Sequence, residues 1–223
     1  MELAAYTDLI KQMPYKDQSF ETKRATWESF KSDDLFRSFY EATFKNAESV
    51  IISRGELFAM TREDAHKAIF SIILWGYPKG YTRANNMDRS FPLFLEQTPY
   101  LSKWLSVQKQ ITIEDLAEVL RKCKGVGLST LSKLLYFFNT SVEDYKSIIM
   151  DARIISVIKQ KKFTEFQSLS SIREHNKERM YPEYLKLCTQ LSKMNGYEAD
   201  QLELFLFIFG NNLKQANIST LAL

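Results

Sequence analysis

The segment from Arg121 to Lys133 combines residue types that can bind phosphate. Gly125 and Gly127 separate two helical patterns, and glycines at these positions permit a tight reversal because they lack a Cβ atom. The helix after the reversal begins with free backbone N–H groups, which attract anions. The cations beside the turn are Arg121, Lys122 and Lys124. The segment therefore predicts a contact with a phosphate backbone, although an ordinary turn between helices also fits, since GxG alone is a weak pattern.

Asp151 is the second residue whose type and position predict chemistry. It follows the apolar run Ile148–Met150 and precedes a helical pattern over 152–160. Aspartate is a favoured N-cap residue, so capping of this helix is one interpretation. A helix start also holds a carboxylate in its ionised form and aims it, so a catalytic role is compatible with the cap.

The order of hairpin, helix, short helix and an Asp-x-Arg sequence between apolar residues resembles the helix-hairpin-helix superfamily of base-excision DNA glycosylases. The segment Trp75–Gly80, followed by Thr82–Asn86, is similar to bacterial proteins with an 8-oxoguanine DNA glycosylase fold. Asp200–Glu203, ahead of the apolar stretch to Gly210, is similar to the final helix of that group. The resemblance extends over roughly residues 62–210.

The resemblance implies an all-α, two-lobed fold that contains the helix-hairpin-helix motif. One lobe is the central segment, about 56–150, and the other combines 1–55 with 151–223. Apolar spacing and capping pairs predict helices along nearly the whole chain, without convincing strand alternation. Residues 76–92 form the longest predicted loop, because they contain two prolines, two glycines and paired asparagines. The predicted helices cover 1–13, about 22–30, 33–53, 62–75, 92–106, 113–123, 128–139, 142–149, 152–160, 164–174, 181–194 and 198–209.

The resemblance also implies that the substrate is double-stranded DNA carrying a modified base, and it implies a role for individual residues in binding or cleaving that substrate. Asp151 is the implied catalytic carboxylate, which stabilises positive charge on the deoxyribose as the N-glycosidic bond breaks and can orient water. The base must first leave the stack, which requires a wedge and an aromatic-lined pocket. The implied DNA contacts are Lys124, Gly125, Val126, Gly127 and Ser129 of the hairpin and Arg83, Asn85 and Asn86 of the loop. The candidate pocket residues are Trp75, Tyr77 and Tyr136, each of which also fits a core position.

The sequence departs from the superfamily pattern at the nucleophile. Bifunctional members carry a lysine two residues after the second hairpin glycine, and that position is Ser129 here. Serine cannot form an imine, so the resemblance predicts a monofunctional glycosylase that uses water. Lys133 lies one turn further along the same helix face and is the competing catalytic candidate. Its other interpretation is a solvated helix lysine or a phosphate contact.

Composition and cysteine count exclude several classes of protein. A chain of 223 residues with 45% hydrophobic residues supports a substantial core, and a net charge of +3 does not by itself indicate a nucleic-acid-binding protein. Two cysteines cannot form a four-cysteine cluster, and His66 and His175 show no metal-ligand spacing, so we expect no metal and no cofactor. The cysteines are predicted to be reduced thiols in a cytoplasmic, monomeric protein. No segment fits a signal peptide or a membrane span, and no obligate protein partner is evident.

Two questions of function stay open at the level of sequence. The excised base is 8-oxoguanine by resemblance, but a phage-type modified cytosine, removed in antiviral defence, is an alternative. An alternative function of a different class is that of a non-catalytic helix-hairpin-helix DNA-binding protein. Ser129 at the usual lysine position is evidence for this alternative, and Asp151 is evidence against it. A more distant option is a helical protein-interaction module in which the GVG sequence is only a turn.

Overall fold

The computed structural model describes residues 1–81 and 87–214 and is built mostly of helices, which confirms the predicted fold class. Over these residues, no helix combines the length and the apolar character that crossing a membrane requires. Short 3₁₀ helices cover Leu3–Tyr6, Tyr15–Asp17, Glu28–Phe30 and Thr164–Leu169. The α-helices are α1 (Thr7–Lys11), α2 (Arg24–Trp27), α3 (Asp34–Phe44), α4 (Arg54–Glu63), α5 (Ala65–Gly76), α6 (Met87–Leu95), α7 (Thr98–Val107), α8 (Ile113–Lys122), α9 (Leu128–Phe137), α10 (Ala152–Lys159), α11 (Lys177–Asn195) and α12 (Ala199–Phe209).

A strand, β2 (Ser49–Ser53), replaces the end of a predicted helix. Strands β1 (Ser19–Lys23) and β2 pair antiparallel along their whole lengths. The predicted helix over 33–53 is therefore wrong in its second half. Helix α3 stops at Phe44 because Lys45 adopts a φ of 48°, outside the helical region. The residues that follow include Val50, Ile51 and Ile52, whose branched Cβ atoms favour extended backbone.

The predicted helix over 142–149 is wrong, because part of this segment belongs to a second small sheet. Strand β4 (Ser141–Val142) lies between β3 (Gln110–Ile111), with which it is parallel, and β5 (Tyr145–Lys146), with which it is antiparallel. The chain turns here because Asn139 and Glu143 have φ values of 55° and 50°. The predicted loop over 76–92 is also too long, since α6 begins at Met87 and tolerates Pro92 within it. Burial of aromatic side chains of α6 offsets the backbone cost of that proline, which is about 3 kcal/mol.

The chain divides into two compact units. One unit is Pro14–Ile149, and the other combines Met1–Met13 with the chain from Met150 onward. Residues 14–55 thus belong with the hairpin helices, whereas the sequence-based division placed them with the C-terminal helices. The reason is a shared core, because β1 packs against α5 and the Phe36 ring lies 5.5 Å from that of Phe70 on α5.

Helix α5 forms the centre of the Pro14–Ile149 unit. All residues from Ala68 to Trp75 are buried, as expected for a helix that is apolar on every side. It packs against α4, α7 and α9. The end of α5 and the first turns of α9 are therefore held by the same core, and the candidate site is built at this junction.

The unit that contains α10, α11 and α12 has a fully buried thiol. Cys123 and Cys188 are not joined in a disulfide, and burial raises the pKa of the Cys188 thiol above its ordinary value. In the same unit, burial raises the pKa of Tyr197 to about 12. Both groups are therefore neutral in the folded protein over the ordinary pH range.

We expect this unit to lose stability in alkali. A thiol whose folded pKa is raised contributes stability that is complete below its unfolded pKa of about 8.5 and is lost progressively as pH rises from there towards the folded value. Urea unfolding at about pH 8 and about pH 10 should show a smaller alkaline loss in Cys188→Ala than in the wild-type protein. An equal loss in both proteins would assign the alkaline sensitivity to other groups.

Candidate functional site

The turn between α8 and α9 is a five-residue connection, Cys123–Gly127. The Val126 N–H donates to the Cys123 carbonyl at 3.1 Å and closes the reversal. Gly125 has a φ of 84°, in the left-handed region that favours glycine. Gly127 has a φ of −114° and a ψ of 173°, which is ordinary extended backbone, and it is the N-cap of α9. The reversal therefore needs glycine's conformational freedom at Gly125, whereas the sequence assigned this role to both glycines.

The first turn of α9 leaves backbone donors available. Within residues 1–81 and 87–214, the N–H groups of Gly127, Leu128 and Ser129 donate no hydrogen bond, while the N–H of Leu131 donates to the Gly127 carbonyl at 2.9 Å. Lys124 is exposed beside these groups. Three free N–H groups at a helix start, with a cation beside them, can bind a phosphate group.

Lys133 is buried, with only 4% of its surface exposed. Its Nζ donates to the Ser129 carbonyl at 3.1 Å and to Ser129 Oγ at 3.0 Å, and lies 5.0 Å from the centre of the Tyr77 ring. No carboxylate of the described residues pairs with it. The interpretation of Lys133 as a solvated helix lysine is therefore wrong.

Gly76, the last residue of α5, makes room for this lysine. A Cβ atom at Gly76 would lie 2.8 Å from Cδ and 3.0 Å from Cε of Lys133, and the first of these distances is shorter than real Cβ atoms show. The alkyl chain of Lys133 thus runs against the backbone of α5. This contact is not apparent from the sequence, which predicts only that Gly76 begins a loop.

Three hydroxyl groups connect the segment after α5 to the hairpin. Thr130 Oγ1 lies 2.8 Å from the Tyr77 hydroxyl and 3.0 Å from the Tyr81 hydroxyl. Tyr81 donates to the Gly125 carbonyl at 2.6 Å. Tyr81 is buried and Tyr77 is half-buried. Thr130 and Tyr81 were not predicted as site residues, since neither has a distinctive sequence context, yet they fix Tyr77 beside Lys133.

Two of the predicted pocket residues pack in the core instead. Trp75 and Tyr136 are buried, and the Arg54 guanidinium lies 5.3 Å and 5.1 Å from their ring centres. Arg54 also donates to the Tyr136 hydroxyl at 3.2 Å and to the side chain of Gln18. Because the rings pack against a buried cation, their faces are not available to a base in this structure. Of the three candidates, only Tyr77 is partly exposed.

Asp151 lies in the other unit, as the N-cap of α10. Its Oδ1 accepts hydrogen bonds from the N–H groups of Arg153 at 2.9 Å and Ile154 at 3.1 Å. Its Oδ2 accepts no hydrogen bond from any described residue, and the side chain is half-buried. The capping interpretation is therefore correct, and the cap leaves one carboxylate oxygen available for other chemistry.

The remaining residues predicted to contact DNA differ in whether the structure describes them and in how exposed they are. Arg83, Asn85 and Asn86 lie outside the described residues. Val126 is buried, so a contact from it would involve its backbone. Lys124, Gly127 and Ser129 are exposed or half-buried at the hairpin.

Comparison with known proteins identifies the family to which the chain belongs. Residues 14–207 match the family model described as "Putative 8-oxoguanine DNA glycosylase OGG-like protein". No curated protein and no solved structure matches the chain. The matched range covers most of the chain and includes the hairpin, Lys133 and Asp151. The chain therefore belongs to the OGG-like family that this model describes, a family related to DNA glycosylases.

Proposed function

We propose that this protein is a DNA glycosylase that releases a modified base from double-stranded DNA by hydrolysing the N-glycosidic bond. The observation that carries the proposal is the arrangement of Asp151, in which the helix start fixes one carboxylate oxygen and leaves the other free. Membership of a glycosylase family supports the reaction class. The proposed function needs no metal and no cofactor.

Asp151 acts on the sugar in this proposal. As the bond to the base breaks, positive charge develops on the deoxyribose, and a negative oxygen beside the anomeric carbon stabilises that charge. The two N–H groups that hold Oδ1 keep the carboxylate oriented. Water attacks the anomeric carbon, because Ser129 supplies no amine at the usual lysine position.

The hairpin holds the DNA backbone. The free N–H groups of Gly127, Leu128 and Ser129 donate to a phosphate, and Lys124 adds attraction that does not depend on sequence. The everted base lies near Tyr77, and the segment with Arg83, Asn85 and Asn86 fills the gap that it leaves. Binding of this kind weakens steeply as salt rises, because the protein displaces counterions from DNA.

An excision screen tests the proposal. Duplexes that each carry one modified base, including 8-oxoguanine and phage-type modified cytosines, are incubated with the protein, and the released base is identified by mass. We expect release of at least one modified base and none from unmodified DNA. Salt-sensitive binding without release from any duplex would instead support a non-catalytic DNA-binding protein. Absence of salt-sensitive binding would support a protein-interaction module.

A further inference from the structure

A pocket of about 540 Å³ lies in the Pro14–Ile149 unit, at the end of α9 that is farther from the hairpin. Its walls come from the last turns of α4 and α9 and from the segment after α7. The ten residues of α9 span about 15 Å, which separates the pocket from the phosphate donors at the start of that helix. Small-molecule sites have volumes of about 300 to 1,000 Å³, so the pocket is large enough to hold a small molecule.

Two cationic side chains line this pocket, and they come from different parts of the fold. Arg62 belongs to the last turn of α4, and Lys109 follows α7. Both are exposed, and neither has a hydrogen-bond acceptor or an ion-pair partner among residues 1–81 and 87–214. Two like charges that line one pocket repel each other unless an anion lies between them. Guanidinium and ammonium groups both bind phosphate, so the pair indicates a phosphate group as the charged part of a ligand.

Hydrogen bonds between distant segments hold the walls of the pocket in place. Thr61 Oγ1 donates to the Phe137 carbonyl at 3.2 Å and joins α4 to α9. The Ser141 N–H donates to the Lys109 carbonyl at 2.9 Å and joins the chain after α9 to the chain after α7. Asn139, which also lines the pocket, has a φ of 55°, a conformation that asparagine adopts more readily than most residues. The groups that line the pocket therefore have a fixed backbone, so binding needs little ordering of the chain.

The other side chains of the pocket fit a nucleoside. Phe58 is half-buried, and its ring packs on Tyr136 and Phe137 with centres 5.0 Å and 5.1 Å apart. The part of the ring that lines the pocket can stack on a base. The Asn139 amide can both donate to and accept from a base edge, whereas the Glu63 carboxylate can only accept, as a ribose hydroxyl requires. A bare phosphate would gain nothing from Phe58 and would be repelled by Glu63.

We infer that this pocket binds a ribonucleoside 5′-monophosphate. The phosphate lies between Arg62 and Lys109, the base stacks on Phe58, and the ribose hydroxyls donate to Glu63. A free nucleotide and the 5′-phosphorylated end of an RNA strand share this chemistry. The inference goes beyond the proposed glycosylase function, because no step of base release uses the pocket.

Calorimetric titration of the full chain with AMP, adenosine and inorganic phosphate tests the inference. We expect saturable binding of AMP that is tighter than binding of either of its parts. Arg62→Gln and Lys109→Gln should each weaken AMP binding about tenfold, because each removes a charged donor to phosphate. Lys103→Gln is the matched control, since Lys103 is an exposed lysine of α7 that does not line the pocket, and its AMP affinity should equal that of the wild-type protein.

Two further variants test the base and the sugar. Phe58→Leu should weaken AMP binding about tenfold, because it removes the stacking surface. It should bind inorganic phosphate like the wild-type protein, which shows that the variant is folded. The wild-type protein should prefer AMP to 2′-deoxy-AMP, and Glu63→Gln should reduce that preference. A 5′-phosphorylated oligoribonucleotide that competes with AMP would identify a strand end as the natural ligand, whereas its exclusion would identify the free nucleotide, and either result supports the inference.

The hairpin is the other phosphate site, so the test must separate the two. Lys124→Gln should weaken binding of a duplex with an abasic analogue and leave AMP affinity unchanged, while Arg62→Gln and Lys109→Gln should do the reverse. Three outcomes would overturn the inference. They are a wild-type protein without saturable AMP binding, equal affinity for AMP and inorganic phosphate, and AMP binding that survives both pocket variants but is lost in Lys124→Gln. Base release in the excision screen is independent of all three.

Discussion

Asp151→Asn is expected to slow base release in a single turnover by about 10²- to 10⁴-fold. Asparagine keeps a side-chain oxygen that can accept from the N–H groups of Arg153 and Ile154, so α10 retains its cap. The change removes the negative charge that would stabilise the deoxyribose cation. Because Asn and Asp are similar N-caps, the free energy of unfolding should change by less than about 1 kcal/mol. Affinity for an unreactive abasic analogue, measured in parallel, should be retained.

Asp64→Asn provides a control with the same chemical change at another helix start. Asp64 caps α5 by accepting from the Lys67 N–H at 3.0 Å, and it has no place in the proposed reaction. We expect both variants to have similar stability, and only Asp151→Asn to lose activity. If Asp151→Asn released the base as fast as the wild-type protein, Asp151 would be a helix cap and nothing more.

Gly125→Ala is expected to cost about 1 to 3 kcal/mol of unfolding free energy. The residue has a φ of 84°, where a Cβ atom is strained. That atom would also lie 3.0 Å from the Phe94 backbone nitrogen and 3.1 Å from the Ser90 carbonyl oxygen, and backbone atoms of α6 cannot move away cheaply. Distortion of the turn should weaken binding to DNA of any sequence, because the affected contacts are to backbone phosphate. Urea unfolding and salt-dependent affinity measure the two effects.

Gly127→Ser is the control for Gly125→Ala. It adds a side chain to the hairpin at a residue that does not need a positive φ. Gly127 has an extended backbone that serine adopts readily, and serine is a good N-cap residue. We expect its unfolding free energy to match or exceed that of the wild-type protein. A loss as large as that of Gly125→Ala would mean that the positive φ is not the source of the effect.

The features that could be predicted from the sequence depend on residues close together along the chain. The capping box of Thr112 and Asp115, the glycine turn and the cap at Asp151 each involve groups within four residues of one another. Helical spacing of apolar residues identified the fold class for the same reason. Where local preference was ambiguous, as at the β-branched residues of β2, the pairing partner decided the outcome, and β1 is distant in sequence.

The features that could not be predicted depend on contacts between distant segments. Trp75 and Tyr136 have the residue types of a base pocket, but Arg54 comes from another helix and occupies their faces. Lys133 has the sequence context of a surface lysine, yet it is buried, and its alkyl chain packs where a Cβ atom at Gly76 would lie. Neither partner could be identified without knowing how α4, α5 and α9 pack together.

The hydroxyl groups of Tyr81, Thr130 and Tyr77 have one consistent set of hydrogen positions. The Gly125 carbonyl can only accept, so Tyr81 gives its single hydroxyl hydrogen to it. The contact between Tyr81 and Thr130 then needs the hydrogen of Thr130, and the contact between Thr130 and Tyr77 needs that of Tyr77. The Tyr77 oxygen is thereby left with lone pairs and no hydrogen to offer, so a base or sugar that approaches it must bring an N–H or O–H group of its own.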